Sequence, residues 1–161
     1  MKEIRMASGD VVIVDDDDYE WLSQYHWFTI QSPYTNYAAR NVCNGKRNPP
    51  KLKMHREIVH CPDGMCVDHI NHNGLDNRKE NLRICTLSQN RQNTLKFKKN
   101  ACGYKGVILS GDHSVKPYLA HLTFAKKHYR LGHYETAIEA AYAYDEKARE
   151  LFGEFANTNF K

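Results

Sequence analysis

The stretch Cys66-Val67-Asp68-His69-Ile70-Asn71 decides how the middle of the chain folds. It predicts a short strand over residues 67–70, followed by a glycine-containing loop over residues 71–77. Residues 82–85 predict a second strand. Thr86-Leu87-Ser88-Gln89 then has the form of a helix capping box, so a helix is predicted over about residues 87–95. The predicted local order is therefore strand, loop, strand and helix.

A carboxylate and an imidazole lie side by side at the end of the first predicted strand. Asp68 and the amide of Asn90 can supply oxygen ligands to Mg²⁺, which keeps several waters and needs few ligands from the protein. His69 titrates near neutral pH and can accept a proton from water. Since successive strand residues face opposite sides, Asp68 and His69 can share a site only where the backbone turns. The pattern predicts a one-metal site for cleaving phosphodiester bonds.

These motifs resemble those of the HNH homing endonucleases of phages and introns. The resemblance covers about residues 1–95. The motifs that carry it are Met54-His55-Arg56, Val67-Asp68-His69-Ile70-Asn71, Asp76-Asn77-Arg78, Asn81-Leu82-Arg83 and Gln89-Asn90-x-x-Asn93. The resemblance implies a ββα-metal fold, which agrees with the predicted order of strand, loop, strand and helix.

The resemblance also implies a role for each polar residue of the motif. His69 would be the general base, and Asp68 would ligate the metal ion. Asn81 would brace the loop and orient the base through hydrogen bonding. Asn90 stands where many members of the family have a histidine, and as the second ligand it favours an oxygen-ligated Mg²⁺ or Mn²⁺ ion, one per site. Asn93, one turn further along the same helix face, is a spare candidate ligand.

The last part of the chain predicts a different unit. Strands are predicted over residues 104–109, 118–124 and 128–132, and an amphipathic helix follows the capping box Thr136-Ala137-Ile138-Glu139 and ends near Gly153. The motifs of this part resemble an AP2 domain; they include Gly103-Tyr104-Lys105-Gly106-Val107, Tyr129-Arg130-Leu131-Gly132-His133-Tyr134 and Ala140-Ala141-Tyr142-Ala143-Tyr144-Asp145. The resemblance implies a three-stranded sheet backed by one helix.

The resemblance to an AP2 domain implies a surface that binds DNA. The exposed face of the sheet would lie in the major groove, whose width of roughly 12 Å admits such a ribbon. The residues nominated as DNA-facing are Lys105, His121, Thr123, His128 and Arg130. Lys126 and Lys127 are nominated as contacts to phosphates.

Charge is unevenly distributed along the chain. The net charge is +4, but residues 1–30 carry two basic and seven acidic side chains, which leaves +9 on residues 31–161. Residues 91–105 contain five basic and no acidic side chains. A basic excess of this kind fits a polyanionic partner. The further residues that we expect to contact DNA are Arg78, Arg91, Lys96, Lys98 and Lys99.

Composition bounds the environment of the protein. No apolar run approaches the roughly 20 residues that a membrane-spanning helix needs. The charged start of the chain lacks the apolar core of a signal peptide. The five cysteines are odd in number and never form Cys-x-x-Cys, which favours reduced thiols. We therefore expect an intracellular protein that does not interact with membranes.

Together these patterns predict an α+β protein with four parts. The parts are a β-rich segment over residues 1–53, the HNH ββα-metal motif over 54–95, a basic linker over 96–102 and the AP2-like unit over 103–161. The expected function is site-specific cleavage of double-stranded DNA by a monomer or weak dimer, with no small-molecule cofactor beyond the metal.

Three other interpretations remain open from the residues alone. The first is a non-catalytic, sequence-specific DNA-binding regulator. The second is a nuclease that acts on RNA. The third is a structural zinc module that uses His60, Cys61, Cys66 and His69.

Overall fold

The computed structural model describes residues 1–42, 45, 47–94, 101–111 and 115–160. The chain divides into two compact units, Met1–Asn90 and Arg91–Lys161. The expected DNA contacts Lys96, Lys98 and Lys99, and most of the expected basic linker, lie outside the described residues.

The first unit combines short strands with short helices. Its elements are β1 (Lys2–Arg5), β2 (Val11–Val14), α1 (Asp16–Leu22), β3 (Phe28–Ile30), β4 (Tyr37–Asn41), β5 (Lys51–Lys53), α2 (Met54–Ile58), β6 (Cys66–His69), β7 (Leu82–Cys85) and α3 (Leu87–Gln92). Strands β1 and β2 form a hairpin, β3, β4 and β5 form an antiparallel sheet in that order, and β6 pairs with β7. The predicted order of strand, strand and helix over β6, β7 and α3 is confirmed.

One apolar core joins these elements. The fully buried side chains include Val12 and Val14 from β2, Leu22 from α1 and Met54 from α2. Val67 of β6 packs into the same cluster. Burying one such side chain contributes about 1.5–3 kcal/mol, so the β-rich start of the chain and the ββα motif stabilise each other.

Strand β2 also holds the loop between β6 and β7. The backbone N–H of Ile13 donates to the carbonyl oxygen of Leu75 at 2.9 Å, and the N–H of Asn77 donates to the carbonyl oxygen of Ile13 at 2.8 Å. The carboxylate of Asp15 accepts from the N–H of Lys79 at 2.8 Å. The loop is therefore fixed from outside its own sequence.

The second unit is a three-stranded antiparallel sheet packed on one helix. Its elements are β8 (Val107–Leu109), β9 (Tyr118–Phe124), β10 (Lys127–Tyr134) and α4 (Ala137–Phe152), and the strand order is β10-β9-β8. Strand β9 matches its predicted bounds, β8 begins three residues later than predicted, and β10 is longer than predicted. The predicted capping box of α4 is confirmed, with the Thr136 side chain accepting from the N–H of Glu139.

The core of the second unit lies between the sheet and α4. Val107, Ala120 and Leu122 point from the sheet toward Ala141 and Tyr144 of the helix, and all five are buried. Gly106 precedes β8 with a φ of 74°, and a Cβ at this position would overlap the ring of Tyr144. Only glycine combines this backbone conformation with so close a helix.

Candidate active site

The candidate site lies where β6 ends against β7. The two strands pair antiparallel, with Asp68 opposite Arg83 and His69 opposite Leu82. Helix α3 begins directly after β7, and the predicted capping box at its start is confirmed. The N–H of Thr86 donates to Oε1 of Gln89 at 2.8 Å, and the N–H of Gln89 donates to Oγ1 of Thr86 at 3.2 Å.

Asp68 is buried and paired across the strands. Its side chain is 5% exposed. The guanidinium of Arg83 donates to Oδ2 of Asp68 from both Nε and Nη2, at 2.8 Å and 2.7 Å. The cross-strand register therefore places an opposite charge beside a buried carboxylate, which compensates its loss of hydration.

His69 is buried beside Asp68, and its ring is held by an amide. Nε2 of His69 lies 3.1 Å from Oδ1 of Asn77. Since an amide oxygen can only accept, Nε2 carries the proton and Nδ1 is the basic nitrogen. Burial lowers the pKa of His69, while the bond to Asn77 and the charge of Asp68 act in the opposite direction. The imidazole is thus neutral at physiological pH, which is the state that a general base requires.

The structure divides between two asparagines the role that the sequence assigned to Asn81. Oδ1 of Asn81 accepts from the N–H of Asn71 at 2.9 Å, and Nδ2 of Asn81 donates to the carbonyl oxygen of Asp76 at 2.8 Å. Asn81 therefore braces the loop but does not hydrogen-bond to the imidazole. The direct contact with His69 belongs to Asn77, which is fully buried and was quoted in a motif without being assigned a role.

Two aromatic side chains complete the surroundings of His69. The ring of His55 meets that of His69 edge to face, with centroids 4.9 Å apart. Tyr37 packs against both imidazoles, with its ring centroid 5.3 Å from that of His55 and 5.8 Å from that of His69. Burial lowers the pKa of His55 to about 3, with the neighbouring His69 as a second cause. Tyr37 comes from β4, and no sequence motif pointed to it, whereas His55 lay in a recognised motif.

One nitrogen of His55 is unsatisfied. Its Nδ1 is buried and has no hydrogen-bond partner among the described residues. An unpaired buried polar atom costs about 1–3 kcal/mol, and such atoms are rare in native proteins. This cost is concentrated next to the candidate base.

The other residues nominated near the site are placed differently from one another. Asn90 lies half-buried on α3, whereas α3 ends at Gln92, so Asn93 does not continue the helix face as expected. Arg78 donates from Nε and Nη2 to the carboxylate of Asp76, both at 2.8 Å, so its charge is compensated within the protein. Arg91 is exposed.

The donor set of the site suits a hard cation better than zinc. As ligands, Asp68 would offer carboxylate oxygens and Asn90 an amide oxygen, and two such ligands suffice for an ion that retains waters. No group of three or more histidine, cysteine, aspartate or glutamate side chains in the described part of the chain is arranged to hold a metal ion. The alternative zinc module of His60, Cys61, Cys66 and His69 therefore has no ligand cluster among the described residues.

The second unit presents most of the nominated DNA-facing residues on one face of its sheet. Thr123 pairs with His128 and His121 with Arg130 across β9 and β10, and Oγ1 of Thr123 lies 2.8 Å from Nδ1 of His128. These positions alternate with the buried Ala120 and Leu122, so they point away from α4. The remaining candidates Lys126 and Lys127 are exposed at the turn between the strands.

Lys105, which was also nominated as DNA-facing, has its ammonium group bonded within the protein. Its Nζ donates to the carbonyl oxygens of Gln92, Thr94 and Asn157, at 2.7, 2.8 and 3.4 Å. Burial lowers the pKa of Lys105 to about 8. The side chain therefore ties the segment with Gln92 and Thr94 to the segment with Asn157, both in the second unit.

Known proteins resemble this chain in its sequence. A family model described as HNH endonuclease matches residues 60–92, which include Asp68, His69, Asn81 and Asn90. The chain is 30% identical over 160 residues to an uncharacterized HNH endonuclease of Acanthamoeba polyphaga mimivirus, covering 95% of this chain and 76% of that protein. No solved structure matches. Within the described residues, no helix is both long and apolar enough to cross a membrane.

Proposed function

Since the chain belongs to the HNH endonuclease family, we propose that it is a site-specific endonuclease of the homing type that hydrolyses phosphodiester bonds in duplex DNA. One observation carries the proposal. A buried carboxylate, Asp68, and a buried neutral imidazole, His69, lie next to each other at the end of β6, and each is fixed by a partner of its own.

His69 acts as the general base. Asn77 holds the proton on Nε2, so the lone pair of Nδ1 takes a proton from water. The water oxygen forms a bond to phosphorus, the bond from phosphorus to the 3′ oxygen breaks, and solvent protonates the leaving oxygen. The negative charge of Asp68 favours the imidazolium that forms.

Asp68 and Asn90 are the residues that would hold one divalent cation, Mg²⁺ or Mn²⁺. When bound, such an ion neutralises charge that builds on the phosphate and on the leaving oxygen. Arg83 orients the carboxylate of Asp68 through two hydrogen bonds. Asn81 supports the same arrangement by bracing the loop that carries Asn77.

In this proposal the second unit recognises the target DNA sequence. The sheet face with His121, Thr123, His128 and Arg130 is of the kind that enters a major groove, and the turn with Lys126 and Lys127 meets phosphates. This is the AP2-like interpretation of the unit. Its geometric support is the single-sided packing of the sheet on α4, which leaves the other face open.

The test is cleavage of DNA that carries a bound site. A supercoiled plasmid with that site is incubated with the protein in Mg²⁺ or in EDTA, and nicked and linear products are quantified. We expect nicks that require the metal, since one such site cuts one strand at a time. If the wild-type protein cuts no DNA that contains a site it binds, the proposal fails. Competition between duplex DNA and RNA identifies the nucleic acid.

A non-catalytic DNA-binding regulator is the second candidate. The observation that favours it is the double hydrogen bond from Arg83 to one carboxylate oxygen of Asp68, because that oxygen is engaged without a metal. A regulator would bind its site with equal affinity in Mg²⁺ and EDTA and leave the plasmid intact.

A further inference from the structure

A cavity of about 310 Å³ opens in the first unit next to the candidate active site. Residues of β4, β5, α2, β6 and α3 line it, and none of them is acidic. Its basic side chains are Lys51, Lys53 and Arg56. The cavity therefore has the charge of a site for an anion.

Two of these cations are not compensated within the protein. Lys51 and Lys53 are two residues apart on β5, so they project from the same face of the strand. Neither forms an ion pair with any residue that the structure describes. Their ammonium groups instead lie near aromatic rings, with Nζ of Lys53 4.5 Å from the centroid of Tyr37 and Nζ of Lys51 5.7 Å from that of Phe28.

Other cations of the unit contrast with these two lysines. Arg56 donates to the backbone oxygens of Met65, Cys61 and Pro62 and so holds a loop. Arg40 pairs with Glu57, and Arg83 pairs with Asp68. Among the cavity's cations, the ammonium groups of the two lysines are therefore the ones whose donors are not engaged by backbone oxygens of the described residues.

Two residues that line the cavity connect it to the candidate active site. Asn90, the second nominated metal ligand, lines it directly. His55 lines it too, and the ring of His55 lies 4.9 Å from that of His69. An anion in the cavity would therefore sit beside the group that is cut.

We propose that this cavity is a subsite for a backbone phosphate of the substrate strand, adjacent to the phosphate that is hydrolysed, with Lys51 and Lys53 as its cationic ligands. The inference rests on the proposed nuclease function and adds to it the path of the cut strand. Lysine binds phosphate as a point charge, so two ammonium groups beside one cavity suit a phosphodiester. The subsite positions the strand across Asn90.

The test measures DNA binding in EDTA, where no cleavage occurs. The probe is a fluorescein-labelled duplex of mixed sequence, and its affinity is determined by anisotropy over a range of KCl concentrations. For Lys51→Gln and for Lys53→Gln, the slope of log affinity against log salt should each become shallower by about 0.9, the value for one phosphate contact. For the double variant, the slope should become shallower by about twice that amount.

Matched variants separate the subsite from general effects. Lys2→Gln removes a strand lysine whose Nζ also lies near a tyrosine ring, 4.7 Å from the centroid of Tyr19, but which does not line the cavity. It should leave the slope unchanged. Lys51→Arg and Lys53→Arg keep the charge and should retain the wild-type slope, which excludes misfolding as the cause of the loss.

The outcomes distinguish this subsite from the nuclease function itself. If both glutamine variants have the slope of Lys2→Gln, the subsite is refuted, whether or not the wild-type protein cuts DNA. If the slopes fall as expected but the wild-type protein cuts no bound DNA, the phosphate site stands and only its connection to catalysis is lost. In the plasmid assay, the double variant should nick more slowly at subsaturating protein.

Discussion

The first unit encloses its candidate site, whereas the second unit leaves its candidate surface open to solvent. Asp68, His69, Asn77 and Asn81 are each at most 5% exposed, and each is hydrogen-bonded to the protein. On β9 and β10, by contrast, Thr123, His128 and Arg130 are exposed.

Catalysis and groove recognition therefore place different demands on a fold. A base and a metal ligand act only when their positions are fixed before the substrate arrives, so their partners come from the protein. Side chains that read a groove must instead be free to meet bases and phosphates. The changes that test this contrast follow in order of decreasing expected effect.

The largest effect is expected for His69→Ala. Loss of a general base lowers the cleavage rate by about 10²–10⁴-fold, while DNA affinity stays unchanged. Plasmid nicking and anisotropy measure the two quantities in parallel. His26→Ala, which removes an exposed histidine of the same unit, is the control and should cut at the wild-type rate. An equal loss of binding and cleavage would contradict the assignment of His69 as the base.

Arg83→Met should unfold the first unit more easily. It leaves the carboxylate of Asp68 buried without its cation, at a cost of about 3 kcal/mol in the free energy of unfolding. Both tryptophans, Trp21 and Trp27, lie in the first unit, so tryptophan fluorescence in urea reports this loss selectively.

The control for Arg83→Met is Glu80→Gln. It breaks the exposed contact of Glu80 with Arg78 and should cost less than about 1 kcal/mol. Equal losses for the two variants would mean that the pair of Asp68 and Arg83 is no more enclosed than a surface ion pair.

Asn77→Ala should change the pH dependence of cleavage. The hydrogen bond from His69 to Asn77 raises the pKa of the imidazole, so its removal lowers that pKa further. Because the neutral imidazole is the active form, the acidic limb of the rate profile should move to lower pH. The rate itself should fall by about tenfold, since a buried hydrogen bond is lost.

Asn81→Ala distinguishes direct from indirect support of the base. Asn81 braces the loop without touching the imidazole, so this variant should slow cleavage without moving the acidic limb in the same way. A shift equal to that of Asn77→Ala would show that Asn81 also sets the protonation of His69.

Lys105→Met should destabilise the second unit by about 1–2 kcal/mol, because three carbonyl oxygens lose their donor. The pKa of Lys105 is about 8 in the folded protein and 10.5 in an ordinary lysine. Between these values the unfolded chain binds more protons, so this group makes wild-type stability rise with pH. The stability of wild type relative to the variant, followed by circular dichroism, should therefore increase from pH 8 to pH 10.5. A flat difference would refute burial of the ammonium group.

Arg130→Ala should have the smallest effect on folding. An exposed side chain with no special role changes stability by less than about 0.5 kcal/mol. DNA affinity should nevertheless fall, because the surface loses its arginine. A loss of stability without a loss of affinity would show that this face of the sheet is a packing surface.

The sequence predicted the local architecture closely. Strand β7 has its predicted bounds, β6 is displaced by one residue, and both capping boxes form as expected. These features depend on hydrogen bonds between residues a few positions apart, so a short stretch of sequence contains the information. The three-residue strand β5 was missed, because its alternation is short and follows two prolines.

The sequence was less informative about which side chains meet in the site. It nominated Asp68 and His69, and the structure encloses both at the end of one strand. It did not single out Asn77 among the asparagines of the loop, and it missed Tyr37 altogether. Lys105 was nominated as DNA-facing from the resemblance to an AP2 domain, although its partners are backbone oxygens from both ends of the second unit.

Neighbours in the chain were sufficient to predict the order of elements, the adjacency of a carboxylate and an imidazole, and the starts of α3 and α4. Which amide holds the imidazole depended instead on contacts between distant segments. Ile13 of the first hairpin pairs with the distant loop and places Asn77 against His69. Packing around a shared core also brings Tyr37, His55 and two lysines to the walls of one cavity, because it joins segments that no local pattern connects.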